Sequence, residues 1–362
     1  MLRVMNEAFS ILQPADVPAL AEAVRSAPRV IAVGAGTKSR LSNVADEIVR
    51  ISTTRLTGIV DYEPSEFTFT ALAGTPLKTI VAALSERGQY LPFDPMLADA
   101  GATIGGTVAA GLSGPGRRRF GGLRDFIIGG QCVDGEGRLL RLGGKVVKNA
   151  AGFDFPKFFV GSAGRFGVLA ELTFKVFPRP VAWRTLRIAA KDFAAKAGIF
   201  AGASGTRWEL DALDAAIGEQ AVFARLGGPE PAIDALVSEI LTRFPGEVMT
   251  PGDASYFWQA IVGFRWAHSG GTLAKVALTP AQVPDFGAAV SGQNGARGWI
   301  GAGGNVGYVS VAPGAALPAI AWPGVTLRGE GPLWLGPQRD FAITKAVKAA
   351  LDPQGRFPGL DE

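Results

Sequence analysis

Val17, Leu20, Ala21 and Val24 recur at i, i+3, i+4 and i+7, which predicts an amphipathic helix over residues 14–28, closed by Pro28. Short apolar runs at 29–33 and 47–51 predict strands. Phe67 and Phe69 alternate with Thr68 and Thr70 inside an extended stretch at 59–72. Thr75-Pro76 then predicts a helix start, with Thr75 as N-cap, Pro76 at the first helical position and Gly88 as the stop. Its buried stripe is Leu77, Ile80, Val81 and Leu84. Residues 101–116 are glycine-dense, too much so for an unstressed helix, since each glycine costs about 1 kcal/mol relative to alanine. A hairpin follows, 126–133 paired with 138–142 around Asp134-Gly135-Glu136-Gly137. Residues 168–177 alternate as a strand that ends at Pro178-Arg179-Pro180.

The proline pair predicts a division into residues 1–180 and 181–362. The second part mixes helical stripes with short strands, carries weaker motifs, and ends in a helix running into a turn at 341–357. The fold class expected is α+β throughout, with no long internal repeat.

Composition narrows the chemistry. No window holds the 18 or more uninterrupted apolar residues of a spanning helix, and the first residues lack a signal-peptide core, so a cytoplasmic protein is expected, membrane-associated only through partners. Cys132 is the only cysteine and His268 the only histidine. An internal disulfide, a cysteine-ligated iron–sulfur cluster and a multi-histidine metal site are therefore excluded, and redox chemistry must come from an organic cofactor. The net charge of +4 is spread along the chain apart from Arg117-Arg118-Arg119, with no interleaved aromatic–basic motif, so a mildly basic surface is favoured over nucleic-acid binding.

Gly34-Ala35-Gly36-Thr37-Lys38-Ser39 follows a predicted strand, where a glycine-rich loop can turn several N–H groups toward one anion. It is not a Rossmann fingerprint, because Arg40 stands near the place of the third glycine. Nor is it a P-loop, because Thr37 separates Gly36 from Lys38. Alone it reads as a turn or as a phosphate cradle. Three further glycine-rich segments, at 103–111, 148–154 and 161–168, weigh toward a ligand that the backbone approaches closely.

The ordered set VGAGTKS, GATIGGTVAAGLSGPGRRRFGGLRDFIIG and GGKVVKNAAGFDFPKFFVGSAGRFGVLAELTFKVFP resembles the vanillyl-alcohol oxidase family of flavoproteins, with its PCMH-type FAD-binding domain. Within that family the phrase AAGLSGPGRRRFGGLRDFIIG is most similar to the FAD-binding subunits of glycolate oxidases. The likeness is good over about 10–180 and loose beyond. It implies a two-lobed FAD-binding domain followed by an α+β cap domain, and non-covalent FAD, since no histidine occupies the first loop. It also implies a sister flavoprotein subunit, an iron–sulfur subunit, and a small 2-hydroxy acid such as glycolate or D-lactate as substrate.

By the same resemblance Gly34, Ala35, Gly36, Thr37 and Lys38 hold the pyrophosphate. Thr103, Ile104, Gly105, Gly106 and Gly111 line the isoalloxazine and phosphate side. Ser113, Gly114, Gly121, Arg124 and Asp125 form the next flavin-facing turn, and Gly164, Gly167 and Val168 receive the adenine end, Val168 through its backbone. Gly152-Phe153-Asp154 is a loop tie or a direct contact, and Lys148 a surface ion pair or a cofactor contact. Hydroxy-acid members of the family carry a His-x-Gly-x-Gly-Asn-x-His metal loop. The run 300–307 is either its degenerate counterpart, with Ile300 and Gly307 in place of both histidines, or an unrelated glycine-rich hairpin, and no metal is expected. Lys275 and Arg265 remain as candidates to hold a substrate carboxylate or face the flavin. His268 reads as a loop residue, and Cys132 as an apolar filler within a strand.

Overall fold

The computed structural model describes residues 11–45, 47–143, 155–337 and 342–362. The segment from Lys148 to Asp154 named above lies outside the described residues.

The first lobe opens with a helix, Val17–Arg25, capped by the Asp16 side chain accepting from the Ala19 N–H at 2.8 Å. Leu20, Ala21 and Val24 form its buried face, as the periodicity predicts. The strands Val30–Val33 and Val49–Ser52 pair in parallel, with Ile11–Leu12 on the outer side. A five-stranded antiparallel sheet follows, in the order Ile59–Glu63, Thr68–Leu72, Val168–Lys175, Ile127–Val133, Leu139–Gly143. Cys132 is fully buried in it, where desolvation pushes its thiol up to about 12.

Three local expectations are corrected. The helix Leu77–Ser85 has Pro76, not Thr75, at its N-cap; the Thr75 hydroxyl instead accepts from the Gly58 N–H and donates to the Leu72 carbonyl. Val81 stands 41% exposed while Leu77, Ile80 and Leu84 are buried, so the apolar stripe is narrower than predicted. The glycine-dense segment does form a helix, Ile104–Ala110, capped by Thr103 accepting from the Gly106 N–H and ended by Gly111 in the left-handed region. Packing overrides propensity there. A Cβ at Gly105 would stand 2.8 Å from the Ala73 carbonyl oxygen, so only glycine lets this helix lie against the sheet.

The second lobe is a nine-stranded antiparallel sheet running from Gly246–Val248 at one edge to Trp334–Leu335 at the other. The helices Phe193–Ser204, Glu230–Arg243 and Val283–Gly292 bury apolar faces against it. The chain then returns. The helix Ala342–Leu351 and the turn after it, expected within the second domain, pack on the first lobe. The Val30 N–H donates to the Arg356 carbonyl at 2.8 Å, the Gly135 N–H donates to the Leu351 carbonyl at 2.8 Å, and Phe357 sits in the core beneath Val30.

Ion pairs tie the lobes together. Arg225 of the Ala221–Gly228 strand meets Asp94 at 2.6 Å, and Arg119 meets Asp211 at 2.8 Å as well as Glu209. Arg118 donates to Ser204 at 3.2 Å. Two of the three side chains of the arginine run are thus spent between the lobes.

Candidate functional site

The strand Val30–Val33 delivers the chain into the loop that sequence singles out, and Gly36 adopts φ +69°, the left-handed region glycine favours. Gly34, Ala35, Gly36, Thr37 and Lys38 line one wall of a cleft of about 690 Å³. Thr103, Gly105 and Gly106 from the start of the short helix form a second wall, and Gly164 and Gly167 a third. The four separated segments therefore converge.

Among the described residues, none of the backbone N–H groups from 35 to 38 has a protein acceptor. Lys38 is 7% exposed, and its one hydrogen bond among the described residues goes to Thr37 Oγ1 at 2.9 Å. Burial without a carboxylate partner brings its ammonium down to about 8. A Cβ at Gly34 would lie 2.6 Å from Thr103 Oγ1, so the floor admits no side chain. Free donors, an unneutralised buried cation and a side-chain-free floor suit a pyrophosphate.

The walls on the other side are fixed from behind. Arg165, 1% exposed, donates through Nη1 to the carbonyls of Leu41, at 2.7 Å, and Ala163, and through Nη2 to the Glu362 carbonyl at 2.5 Å. Leu41 and Ala163 both line the cleft. Sequence reading passed over Arg165, because a single arginine in a glycine-rich loop has no distinguishing spacing.

Past Leu41, Ala109 and Ala163, which the two share, the cleft widens into a larger space of about 1280 Å³ between the lobes. Gly111, Ser113, Arg124 and Asp125 line it from the first lobe, and Lys275, Asn305 and Trp334 from the second. Lys275 lies on the Thr272–Ala277 strand and donates to the Gly111 carbonyl at 2.8 Å. Desolvation, then the nearby Arg117 charge, lowers its ammonium to about 8.

Ile104, Gly121, Gly114 and Arg265 fall elsewhere than expected. Ile104 is fully buried in the main core, its side chain turned into the sheet rather than the cleft. Val168, expected to contribute only its backbone, pairs with Val133 and turns its side chain into the core under the first helix, between Gly167 and Leu169, which line the cleft. Gly121, at φ +84°, is a turn whose Cβ would collide with the Asp125 carboxylate, and it lines neither space. Arg265 is on the surface, its side chain 48% exposed and 3.8 Å from Asp99. Gly114 lines a side pocket rather than the main space.

That side pocket, about 290 Å³, adjoins the larger space through Ser113, Arg117 and Val306. Met96, Phe264, Trp299 and Tyr308 give it apolar walls, and Asp214 is buried at its edge. Asp214 accepts from Trp299 Nε1 at 2.9 Å and the Ala302 N–H at 3.0 Å, and desolvation raises its carboxyl to about 6. Asp214 and Tyr308 escaped the sequence reading, since neither sits in a recognisable motif.

The run 300–307 is the turn of a hairpin between Arg297–Gly301 and Val306–Val311, and Ile300 pairs with Gly307. Ile300 is buried, and a Cβ at Gly307 would meet the Phe286 ring at 2.7 Å, so packing accounts for both positions. His268 lies in a loop, its Nε2 2.8 Å from the Gly295 carbonyl. Among the described residues no cluster of three or more His, Cys, Asp or Glu side chains could hold a metal, and no helix is long and apolar enough to cross a membrane.

Residues 10–143 match the family of FAD binding domains. The chain's sequence is 41% identical over 207 residues to glycolate oxidase subunit GlcE of Escherichia coli, covering 56% of this chain and 55% of that protein. It is 31% identical over 199 residues to a D-2-hydroxyglutarate dehydrogenase of Xanthomonas citri, covering 53% and 42% respectively. Glycolate oxidase subunit GlcD of Bacillus subtilis is 32% identical over 128 residues, covering 35% and 27%. The chain spans about half the length of the first two relatives. In fold it is similar to an alkyldihydroxyacetonephosphate synthase, with TM-score 0.66, 15% identity, and coverage of 95% of this chain and 76% of that one. That likeness is one of fold, over both lobes of the chain.

Proposed function

We propose that this chain is the FAD-binding subunit of a 2-hydroxy-acid oxidoreductase complex that oxidises glycolate or D-lactate. The observation that carries the reading is the continuous cleft. One end has the free N–H groups and buried Lys38 that suit a pyrophosphate, and the other opens between the lobes beside Lys275. Bound FAD supplies the hydride acceptor. The protein's part is to hold the nucleotide through 34–38, 103–106 and 162–167, keep the ring edge between the lobes, and place Lys275 at the substrate side. Attachment is non-covalent in this reading, because the first loop offers only Thr37, Lys38 and Ser39 as side-chain nucleophiles, and Lys38 is held beside Thr37. The GlcE and GlcD relatives are each named as a glycolate oxidase subunit, which supports a sister subunit as partner. One cysteine cannot hold a cluster, so an iron–sulfur subunit is assigned the electron exit.

A second reading, a free-standing dehydrogenase, is favoured by Lys275 alone, since it already reaches the cleft from the second lobe. Steady-state assay of the purified chain with glycolate, D-lactate and a dye acceptor separates the two. The subunit reading expects activity only when sister and iron–sulfur subunits are added. Brisk turnover by the chain alone would put the free-standing enzyme in its place.

A further inference from the structure

Two cations meet in the interlobe space, and among the described residues neither is ion-paired to a carboxylate. Arg117 starts the short helix Arg117–Phe120 and lines both the main space and the apolar side pocket. Among the described residues its guanidinium has no hydrogen-bond or ion-pair acceptor, unlike its neighbours Arg118 and Arg119. Lys275 lines the same space from the opposite lobe, bonded only to the Gly111 carbonyl among the described residues, and close enough for each charge to repel the other. The acids nearby are committed elsewhere. Asp125 accepts from the Gly122 N–H at 2.8 Å, and Asp214 from Trp299 and Ala302. Two like charges held in a partly buried cleft favour an anion between them.

Beyond Arg117 the wall changes character. Met96, Phe264, Trp299 and Tyr308 enclose an apolar recess with little free room, and Tyr308 spends its hydroxyl on the Ser113 carbonyl at 3.5 Å. A second carboxylate entering it would meet the buried Asp214 carboxylate, whereas a methyl group would lose only water.

We infer that this space is a binding site for a small monocarboxylate, its carboxylate between Arg117 and Lys275 and a methyl-sized side chain in the recess behind Arg117. The inference rests on the flavin reading and narrows its substrate class: a three-carbon 2-hydroxy acid binds in preference to a two-carbon or dicarboxylic one.

Calorimetric titration of the full chain with acetate, propionate and succinate tests it without requiring turnover. Propionate should bind about fourfold more tightly than acetate, the ratio expected for burying one methylene, and succinate more weakly than either. Arg117→Gln and Lys275→Gln should each weaken propionate by about tenfold or more, with Arg117→Lys restoring most of the loss. Melting temperature and circular dichroism of each variant identify any that fail to fold, and Arg117→Lys then carries the comparison. Equal binding of acetate and propionate, tightest binding of succinate, or unchanged affinity in Arg117→Gln would overturn the proposal. Flavin uptake is read separately by visible absorbance. A chain that takes up no FAD yet shows this carboxylate order would sink the flavin reading and keep the site.

Discussion

Lys38 lies beside Thr37 with its ammonium 2.9 Å from the threonine hydroxyl, buried and, among the described residues, with no carboxylate to balance it. A cation in that setting destabilises the empty protein and favours an anionic ligand, so one residue links stability to binding. Lys38→Met should lower FAD affinity by about tenfold or more, since a charge-assisted contact is worth roughly 1.5–3 kcal/mol. The melting temperature of the empty protein should hold or rise. Fluorescence titration with FAD and a thermal melt check both halves; a large loss of stability without loss of affinity would contradict the assignment.

The pH dependence follows with a definite sign. The folded-state values of Lys38 and Lys275, both about 8, lie below the ordinary 10.5, so the unfolded chain binds more protons between those limits. These two groups therefore make the empty protein more stable as pH rises from about 8 toward 10.5. FAD affinity should fall over the same range as Lys38 loses its charge. Denaturant midpoints and FAD titrations at pH 7, 8, 9 and 10 read the two trends, which should run in opposite directions.

Asp94 should matter to stability far more than to flavin contact. Its carboxylate accepts from Arg225 at 2.6 Å and from the Gly116 N–H at 2.7 Å, between the lobes. Asp94→Asn leaves the buried Arg225 guanidinium uncompensated, at a cost of about 3–5 kcal/mol. Chemical denaturation of the variant should show that loss, and a change under 1 kcal/mol would mean the pair is not a tie between lobes.

Gly105→Ala sets two effects against each other. Helix propensity alone gains up to about 1 kcal/mol. Against it, the new Cβ would press on Ala73 at 2.7 Å and on the Ala73 carbonyl at 2.8 Å, and overpacking of this kind costs about 1–3 kcal/mol. Destabilisation is the expected net result in a denaturant titration, with FAD affinity lowered because the helix start is displaced from the cleft.

Much of the first lobe was legible because its signals are local. The stripe of Leu20, Ala21 and Val24 and the turn at Asp134–Gly137 each fix their element within a few residues. The loop at 34–38 was legible through strand, glycines and lysine together. The helix at Ile104–Ala110 was not, because the reason for Gly105 lies thirty residues back at Ala73. Val168 shows the same limit at finer scale: the strand is plain in sequence, but its register against Val133, which turns the Val168 side chain into the core, is set across the sheet. The ion pairs of Arg119 are not legible in the sequence for a third reason, since Glu209 and Asp211 face it only once the second lobe has folded. Arg265 and Lys275 look alike in sequence. Only the sheet tells them apart, sending one to the surface and the other to Gly111.

The central claim is that this chain holds FAD, without a covalent bond, in the cleft built around residues 34–38. Its most direct test compares the visible spectrum of the purified chain with that of Gly36→Val, before and after acid precipitation. The left-handed φ of +69° disfavours a β-branched residue, and the new side chain stands where the phosphates must approach. The account predicts about one FAD per chain in the parent, all released to the supernatant by acid, and a folded but colourless variant. Full flavin occupancy in Gly36→Val, or flavin that stays with the precipitate, would contradict it.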